Sequence, residues 1–173
     1  KLVHSTDECT SIHIYNKYKR KFSSYSAFLA AAAALTDYLE TRPIASNLVS
    51  RFDRQFLMLE ATALSYMISS SQHDIDFLMK IVDDLSQEKY PHDIEGGFLR
   101  AERHARKVLS VVKSIEDSIR VGKNLACVQI NSELPSSMVV NFVLGASGKP
   151  VALVYKTKED INSCIISIRG SNE

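Results

Sequence analysis

The feature that most constrains this chain is a change in the spacing of its apolar residues after residue 119. Before that point they recur at the three- and four-residue intervals of amphipathic helices, as they do in the stretch 74–85. After it, apolar runs at residues 125–130 and 151–155 and an alternating run at 163–168 are typical of strands. We therefore expect an α/β chain that is rich in helices and confines its sheet to the C-terminal part.

Five helices are predicted from this spacing and from the residues that flank each segment. Their ranges are about residues 5–21, 25–35, 53–69, 74–85 and 93–119. Ser5 and Glu8 have the spacing of a capping box, in which each side chain bonds the other residue's backbone amide, and they indicate the start of the first helix. At about 1.5 Å per residue the last helix would be long enough to join two domains, with a bend near Gly96 and Gly97.

The C-terminal part is predicted to form a β-α-β-β unit. A short helix opens at Ser132 or Pro135 and ends at Gly145, between the first two strands. A turn at residues 157–162 joins the second strand to the third. Alternation along the third strand places residues 167 and 169 on the same face of the sheet.

Composition narrows the class of protein. The 173 residues include 21 basic and 20 acidic side chains, so the net charge of +1 argues against coating of duplex DNA by bulk charge and leaves a local basic groove open. No apolar run approaches the ~20 residues of a membrane span. The three cysteines, Cys9, Cys127 and Cys164, share no metal-binding spacing and are expected to be reduced, buried thiols in a cytoplasmic protein.

Three residues are candidates for a functional site. Asp37 ends an alanine-rich helix, where close packing would hold its carboxylate rigidly, and the alternative is a turn-forming role before Pro43. Ser167 and Arg169 together would present a hydroxyl and a guanidinium to a phosphate or carboxylate. The alternative for Arg169 is that its charge keeps an edge strand soluble.

Other kinds of site have less support in the sequence. His4, Asp7 and His13 have spacings that would allow a shared metal, but no further ligand joins them. The remaining histidines are isolated and are expected to be solvated or to cap helices. The sequence contains no glycine-rich phosphate loop and no nucleophile elbow.

The order of these segments resembles the DHH phosphoesterase superfamily, which includes RecJ-type nucleases, small-nucleotide phosphatases, cyclic dinucleotide phosphodiesterases and exopolyphosphatases. The resemblance rests on the first two predicted helices, the second of which runs into Asp37, and on the Ser167-Ile168-Arg169 element. It departs from the family pattern at Gly170, where a serine is usual. The resemblance implies that Asp37 is a metal ligand and that Ser167 and Arg169 bind substrate phosphate.

The same resemblance implies a division of the chain and a mechanism. Residues 1–45 would be the C-terminal part of the catalytic α/β domain, 46–122 a helical connector with one long helix, and 123–173 the start of a smaller substrate-binding domain. The family's Asp-His-His signature and its Gly-rich His loop do not occur in these residues and would lie before and after them. The intact parent would hydrolyse phosphoesters of nucleotides, oligonucleotides or polyphosphate with paired Mn²⁺ or Mg²⁺ ions, whereas this piece alone would be inactive.

Two other interpretations remain open. A catalytically silent, RecJ-like module would keep the fold and bind nucleic acid or a protein partner. A helical interaction protein unrelated to the family would carry the β-α-β-β segment incidentally. An open sheet edge in this chain would also favour a homodimer.

Overall fold

The computed structural model describes residues 7–132, 134–158 and 163–171, and it confirms a helix-rich α/β chain with a small sheet. The helices are α1 (Thr10–Tyr18), α2 (Ser24–Thr36), α3 (Pro43–Val49), α4 (Arg54–Ser70), α5 (Ile75–Ser86), α6 (Gly97–Ile115) and α7 (Ser136–Ser147). The strands are β1 (Arg120–Val121), β2 (Leu125–Gln129), β3 (Val151–Lys158) and β4 (Ser163–Gly170). In the described part of the chain, no helix is both long and apolar enough to cross a membrane.

Two compact units make up the chain, Lys1–His104 and Ala105–Glu173. The boundary between them falls within α6. The division into three domains at residues 45 and 122 remains a prediction.

The first unit is built around the alanine-rich α2. Ala30, Ala31 and Ala34 are buried, and these small side chains let α1, α3 and α4 pack against α2 at close range. Phe28 is the largest fully buried side chain of this core. The range of α2 was predicted to within one residue at each end, because a run of alanines favours a helix over a strand.

The first helix begins later than its sequence predicts. α1 starts at Thr10, and the carboxylate of Glu8 accepts hydrogen bonds from the amides of Ile44 (2.7 Å) and Ala45 (3.3 Å) in the first turn of α3. The predicted capping box is therefore wrong for Glu8, since a distant helix offers its side chain two unsatisfied amides. Ser5 lies outside the described residues.

The starts of α4 and α5 follow the sequence prediction. The side chain of Asp53 accepts from the amide of Phe56 (2.8 Å), and that of Asp74 accepts from the amide of Phe77 (3.1 Å). Arg100 of α6 also donates to Asp74 (2.7 Å). The bond from the Phe77 amide and the bond from Arg100 hold the pKa of Asp74 below its usual range, so this cap stays ionised in mild acid.

α6 is shorter than the predicted helix at residues 93–119. It begins at Gly97, directly after Gly96, whose φ is 76°, and it ends at Ile115. A Cβ at Gly97 would lie 2.7 Å from the sulfur of Met67, so this glycine permits close packing against α4. The two glycines thus form the entry to the helix and not a bend within it.

Just after α5 the backbone adopts a left-handed conformation at a residue that is not a glycine. Glu88 has a φ of 62°, and the amides of Glu88 and Lys89 bond the carbonyls of Leu85 and Asp84 (both 3.1 Å) in a Schellman motif. Glycine is the usual residue at this position, because a Cβ is strained at positive φ.

We expect Glu88→Gly to raise the free energy of unfolding by about 0.5–1 kcal/mol, measured by urea denaturation. Gln87→Gly, where φ is −88°, is the control and should lower stability; a loss in both variants would contradict the prediction.

The second unit contains the four-stranded sheet in the order β1-β2-β3-β4. β2 and β3 are parallel and α7 connects them, while β1 and β4 pair antiparallel with their neighbours. The predicted β-α-β-β unit is therefore present. Strand β1 was not predicted, because two residues are too few to show the pattern of a strand. The predicted helix end at Gly145 is wrong: α7 continues to Ser147 and ends at Gly148, whose φ is 60°.

Candidate functional site

One face of the sheet, the face that α7 covers, carries both residues predicted to bind phosphate. In β4, Ser167 lies opposite Val154 and Arg169 lies opposite Ala152. Val154 and Ala152 are fully buried in the cluster that includes the valines of α7. Because cross-strand partners share a face, Ser167 and Arg169 lie on the same face, as the alternation predicts.

A serine that the sequence analysis missed holds Ser167 in place. The Oγ of Ser167 lies 2.7 Å from the Oγ of Ser136, the first residue of α7. Ser136 is only 5% exposed, so the pair is fixed against the helix start. Each hydroxyl has one hydrogen to donate, and when one donates to the other a single O–H remains for a third group. The pair is therefore a hydrogen-bond donor in a defined position.

The start of α7 adds positive potential beside this pair. Among the described residues no side chain caps the helix, whose N-cap is Pro135, and the amide end of a helix carries a partial positive charge. Lys156 lies on the same face of the sheet and donates from its Nζ to the carbonyl of Ser132 (2.9 Å), in the segment that leads into α7. An anion at this end of the helix would meet amides, a hydroxyl and a cation.

Arg169 is exposed and follows Ser167 by two residues. Two residues along a strand correspond to roughly 6–7 Å, a distance that an arginine side chain spans. The guanidinium and the hydroxyl pair can therefore approach one tetrahedral group from two sides. Lys156 and Ser136 are the site residues that sequence reasoning missed. The sequence offered one local signal, Pro135, which indicated where a helix begins but not which strand that helix contacts.

Asp37 belongs to the first unit, where it is the exposed C-cap of α2. Burial raises the pKa of the Cys9 thiol, and the charge of Asp37 raises it further. A carboxylate at the negative end of a helix is electrostatically unfavourable, and a bound cation would relieve this repulsion.

The residues present do not fit a two-metal centre. Among the described residues, no group of three or more His, Cys, Asp and Glu side chains is close enough to hold a metal ion. Paired Mn²⁺ or Mg²⁺ ions require several carboxylate or imidazole ligands, and Asp37 supplies one. His4, which the sequence places near Asp7 and His13, lies outside the described residues. The role of Asp37 as one metal ligand therefore remains a hypothesis.

A cavity of about 320 Å³ lies elsewhere in the second unit. Arg120, Cys127 and Tyr155 are among its lining residues, and Ser167 and Arg169 are not. Tyr155 pairs with Ile166, so it lies on the opposite face of the sheet from Ser167. The candidate phosphate site is consequently a surface site at the start of α7, separate from this cavity.

Comparison with known proteins assigns no family to the chain. No protein-family model matches it, and no curated protein matches it at a significant level.

Proposed function

We propose that the second unit binds the phosphate group of a phosphoester. We further propose that the intact parent protein is a metal-dependent hydrolase of nucleotide, oligonucleotide or polyphosphate phosphoesters in the cytoplasm. The observation that carries the proposal is the Ser136–Ser167 hydroxyl pair at the start of α7, with Arg169 on the same face.

The chemistry of these groups suits a phosphate oxygen better than a neutral ligand. A guanidinium offers parallel N–H donors that match two phosphate oxygens, and a hydroxyl held by a neighbour offers one more donor. The uncapped amides of α7 favour negative charge at the same place. The guanidinium and the backbone amides only donate, and the hydroxyl pair has one O–H left to donate, so an anionic ligand with acceptor oxygens fits these groups best.

The hydrolytic part of the proposal rests on the resemblance to DHH phosphoesterases. The resemblance implies that the Ser167 and Arg169 element would hold the phosphate, and that metal ions, if bound to a catalytic domain, would supply a water nucleophile. Asp37 would contribute one ligand for Mn²⁺ or Mg²⁺. Paired metal ions of this kind lower the pKa of bound water and stabilise the leaving oxygen.

The phosphate site is tested by calorimetric titration of the chain with pyrophosphate and with a short thymidine oligonucleotide. We expect Ser167→Ala and Arg169→Ala each to weaken binding by about 10–100-fold, because each removes a donor to a charged oxygen. Arg169→Lys should recover part of the loss, since it keeps the charge but not the paired donors. Ser163→Ala, at an exposed serine of the same strand, is the matched control and should bind as the wild type does.

Two results would change this conclusion. Unaltered binding in both site variants would overturn the phosphate site.

For the intact parent we expect hydrolysis with Mn²⁺ that Asp37→Ala abolishes while phosphate binding is kept. Phosphate binding by an intact parent that hydrolyses nothing would instead favour the silent, RecJ-like binding module.

The proposal includes a homodimer formed through β4. This strand is at the edge of the described sheet, and its residues Ile165, Ile166 and Ile168 are exposed. An edge strand with apolar side chains pairs readily with another strand, and two copies of β4 would form a symmetric contact. Sedimentation velocity would show a dimer, and a monomer across the concentration range would exclude this part of the proposal.

A further inference from the structure

The first unit has a cavity of about 300 Å³ between α1 and α3. Tyr15, Pro43, Ile44 and Leu48 contribute apolar surface to its lining. The cavity is open to solvent on one side, and its volume is large enough for one large apolar side chain to enter. We call the cavity together with the cations at its rim, Lys19 and Arg51, the α1–α3 groove.

The C-terminal end of α1, which contributes Lys19 to the α1–α3 groove, is strongly basic although the chain as a whole is nearly neutral. Lys19 lies within a run of exposed cations at the end of α1, namely Lys17, Lys19, Arg20 and Lys21. The sequence has no aspartate or glutamate from residue 9 to residue 36. Within the described parts of the chain none of these four cations forms an ion pair with a carboxylate. These four cations are therefore available to pair with the carboxylates of a ligand.

Hydrogen bonds hold the α1–α3 groove in shape. The buried carboxylate of Glu8 binds the amides of Ile44 and Ala45, which fixes the first turn of α3 beside the residue that precedes α1. Asn47 accepts a hydrogen bond from the guanidinium of Arg51 (2.9 Å), which orients that cation at the rim. A site formed before binding loses less conformational entropy when its ligand arrives.

The aromatic rings beside the groove favour a peptide over a nucleic acid. Phe22 stacks on Tyr15 (6.4 Å between ring centres, 22° between planes) and meets the edge of Tyr18 (6.1 Å). The Nζ of Lys17 lies 5.2 Å from the centre of the Tyr18 ring. Single-stranded nucleic acids need open aromatic faces on which bases stack. Tyr15, Tyr18 and Phe22 pack on one another, so each ring offers less open surface, although Tyr18 and Phe22 are still 41% and 40% exposed. The open apolar volume is the cavity, which suits an inserted side chain.

We propose that the α1–α3 groove binds an acidic peptide segment of a partner protein. One large apolar side chain of the peptide enters the cavity, and flanking aspartate or glutamate carboxylates pair with Lys19 and Arg51. A central apolar anchor with charged residues at the rim is the usual arrangement of such an interface, in which the anchor supplies affinity and the charges supply specificity. This site is independent of the phosphate site in the second unit.

The test is fluorescence anisotropy of a short labelled peptide that carries one leucine among glutamates and aspartates, titrated with the whole chain. We expect saturable binding that weakens as salt is added. Reversing both rim charges with Lys19→Glu and Arg51→Glu should weaken it by about tenfold or more. The control pair, Lys113→Glu and Lys123→Glu, makes the same change in net charge at exposed positions outside the first unit and should bind normally.

A second comparison changes the peptide and leaves the protein intact, so a folding defect cannot explain the result. Replacing the leucine with serine should weaken binding by about tenfold or more, because the cavity then loses its anchor. The proposal is overturned if the acidic peptide does not bind saturably, if the serine peptide binds equally well, or if both charge-reversal pairs lose binding to the same extent. Tighter binding of a thymidine oligonucleotide than of the peptide, if Lys19→Glu with Arg51→Glu abolishes it, would also overturn the proposal. Failure of this test leaves the phosphate proposal standing, since Ser167 and Arg169 are untouched.

Discussion

Phe28→Ala is expected to lower the free energy of unfolding of the first unit by about 3–5 kcal/mol, the range for truncation of a buried phenylalanine. Phe28 is fully buried, and its ring centre lies 4.9 Å from that of Tyr90, 5.7 Å from Tyr25 and 5.9 Å from both Phe52 and Phe56. These four rings come from different segments of the unit. Removing the central ring would therefore open a cavity where several elements meet.

Urea denaturation followed by circular dichroism measures the effect of Phe28→Ala. Phe98→Ala is the matched control, because this ring is 39% exposed and its removal should change stability by about 1 kcal/mol or less. Phe28→Leu should have an intermediate effect, since leucine fills part of the volume. A loss in Phe28→Ala no larger than in Phe98→Ala would show that the ring cluster does not organise this core.

The second large effect is a loss of stability in alkaline solution that depends on Tyr25. This residue is 6% exposed and its hydroxyl donates to the carbonyl of Lys89. Burial, with a smaller effect of the charges on Tyr90 and Glu60, raises the pKa of Tyr25 from 10.0 to about 12. Between these values the unfolded chain has released the proton that the folded chain still holds, so stability falls as the pH rises. The contribution is fully present below pH 10, and its loss by pH 12 amounts to about 2–3 kcal/mol.

Unfolding free energies measured by urea titration from pH 9 to pH 12 would show this slope. Tyr25→Phe should lower stability at neutral pH by about 1 kcal/mol through the lost hydrogen bond, and it should flatten the alkaline slope. Tyr18→Phe, at an exposed ring, is the control and should keep the slope because Tyr25 is still present. An unchanged slope in Tyr25→Phe would assign the alkaline instability to another group.

Local patterns predicted most of the helices of the first unit. α2, α4 and α5 lie within a residue or two of their predicted ranges, because apolar spacing and the capping residues Asp53 and Asp74 act within one or two turns. The start of α1 was predicted wrongly, because the partner of Glu8 lies in α3. α3 itself was not predicted as a helix, since its seven residues give too short a pattern.

The candidate phosphate site was predicted in part. Strand alternation is a local property, and it placed Ser167 and Arg169 on one face as the register of β3 and β4 shows. The contact of Ser167 with Ser136 was not predicted, because it depends on how α7 crosses the sheet. The role of these residues and that of Asp37 remain proposals.

The sequence by itself determined the helix-rich α/β class, the β-α-β-β order of the C-terminal part and the shared face of Ser167 and Arg169. These properties follow from side-chain periodicity, which repeats within a few residues. Only the tertiary structure decided that Glu8 binds the start of α3 and that the buried Tyr25 donates its hydroxyl to the carbonyl of Lys89. It also decided that Lys19 and Arg51 line one groove. Each of these depends on two distant segments meeting, and buried polar groups take whichever partner the packing of those segments brings within hydrogen-bonding distance.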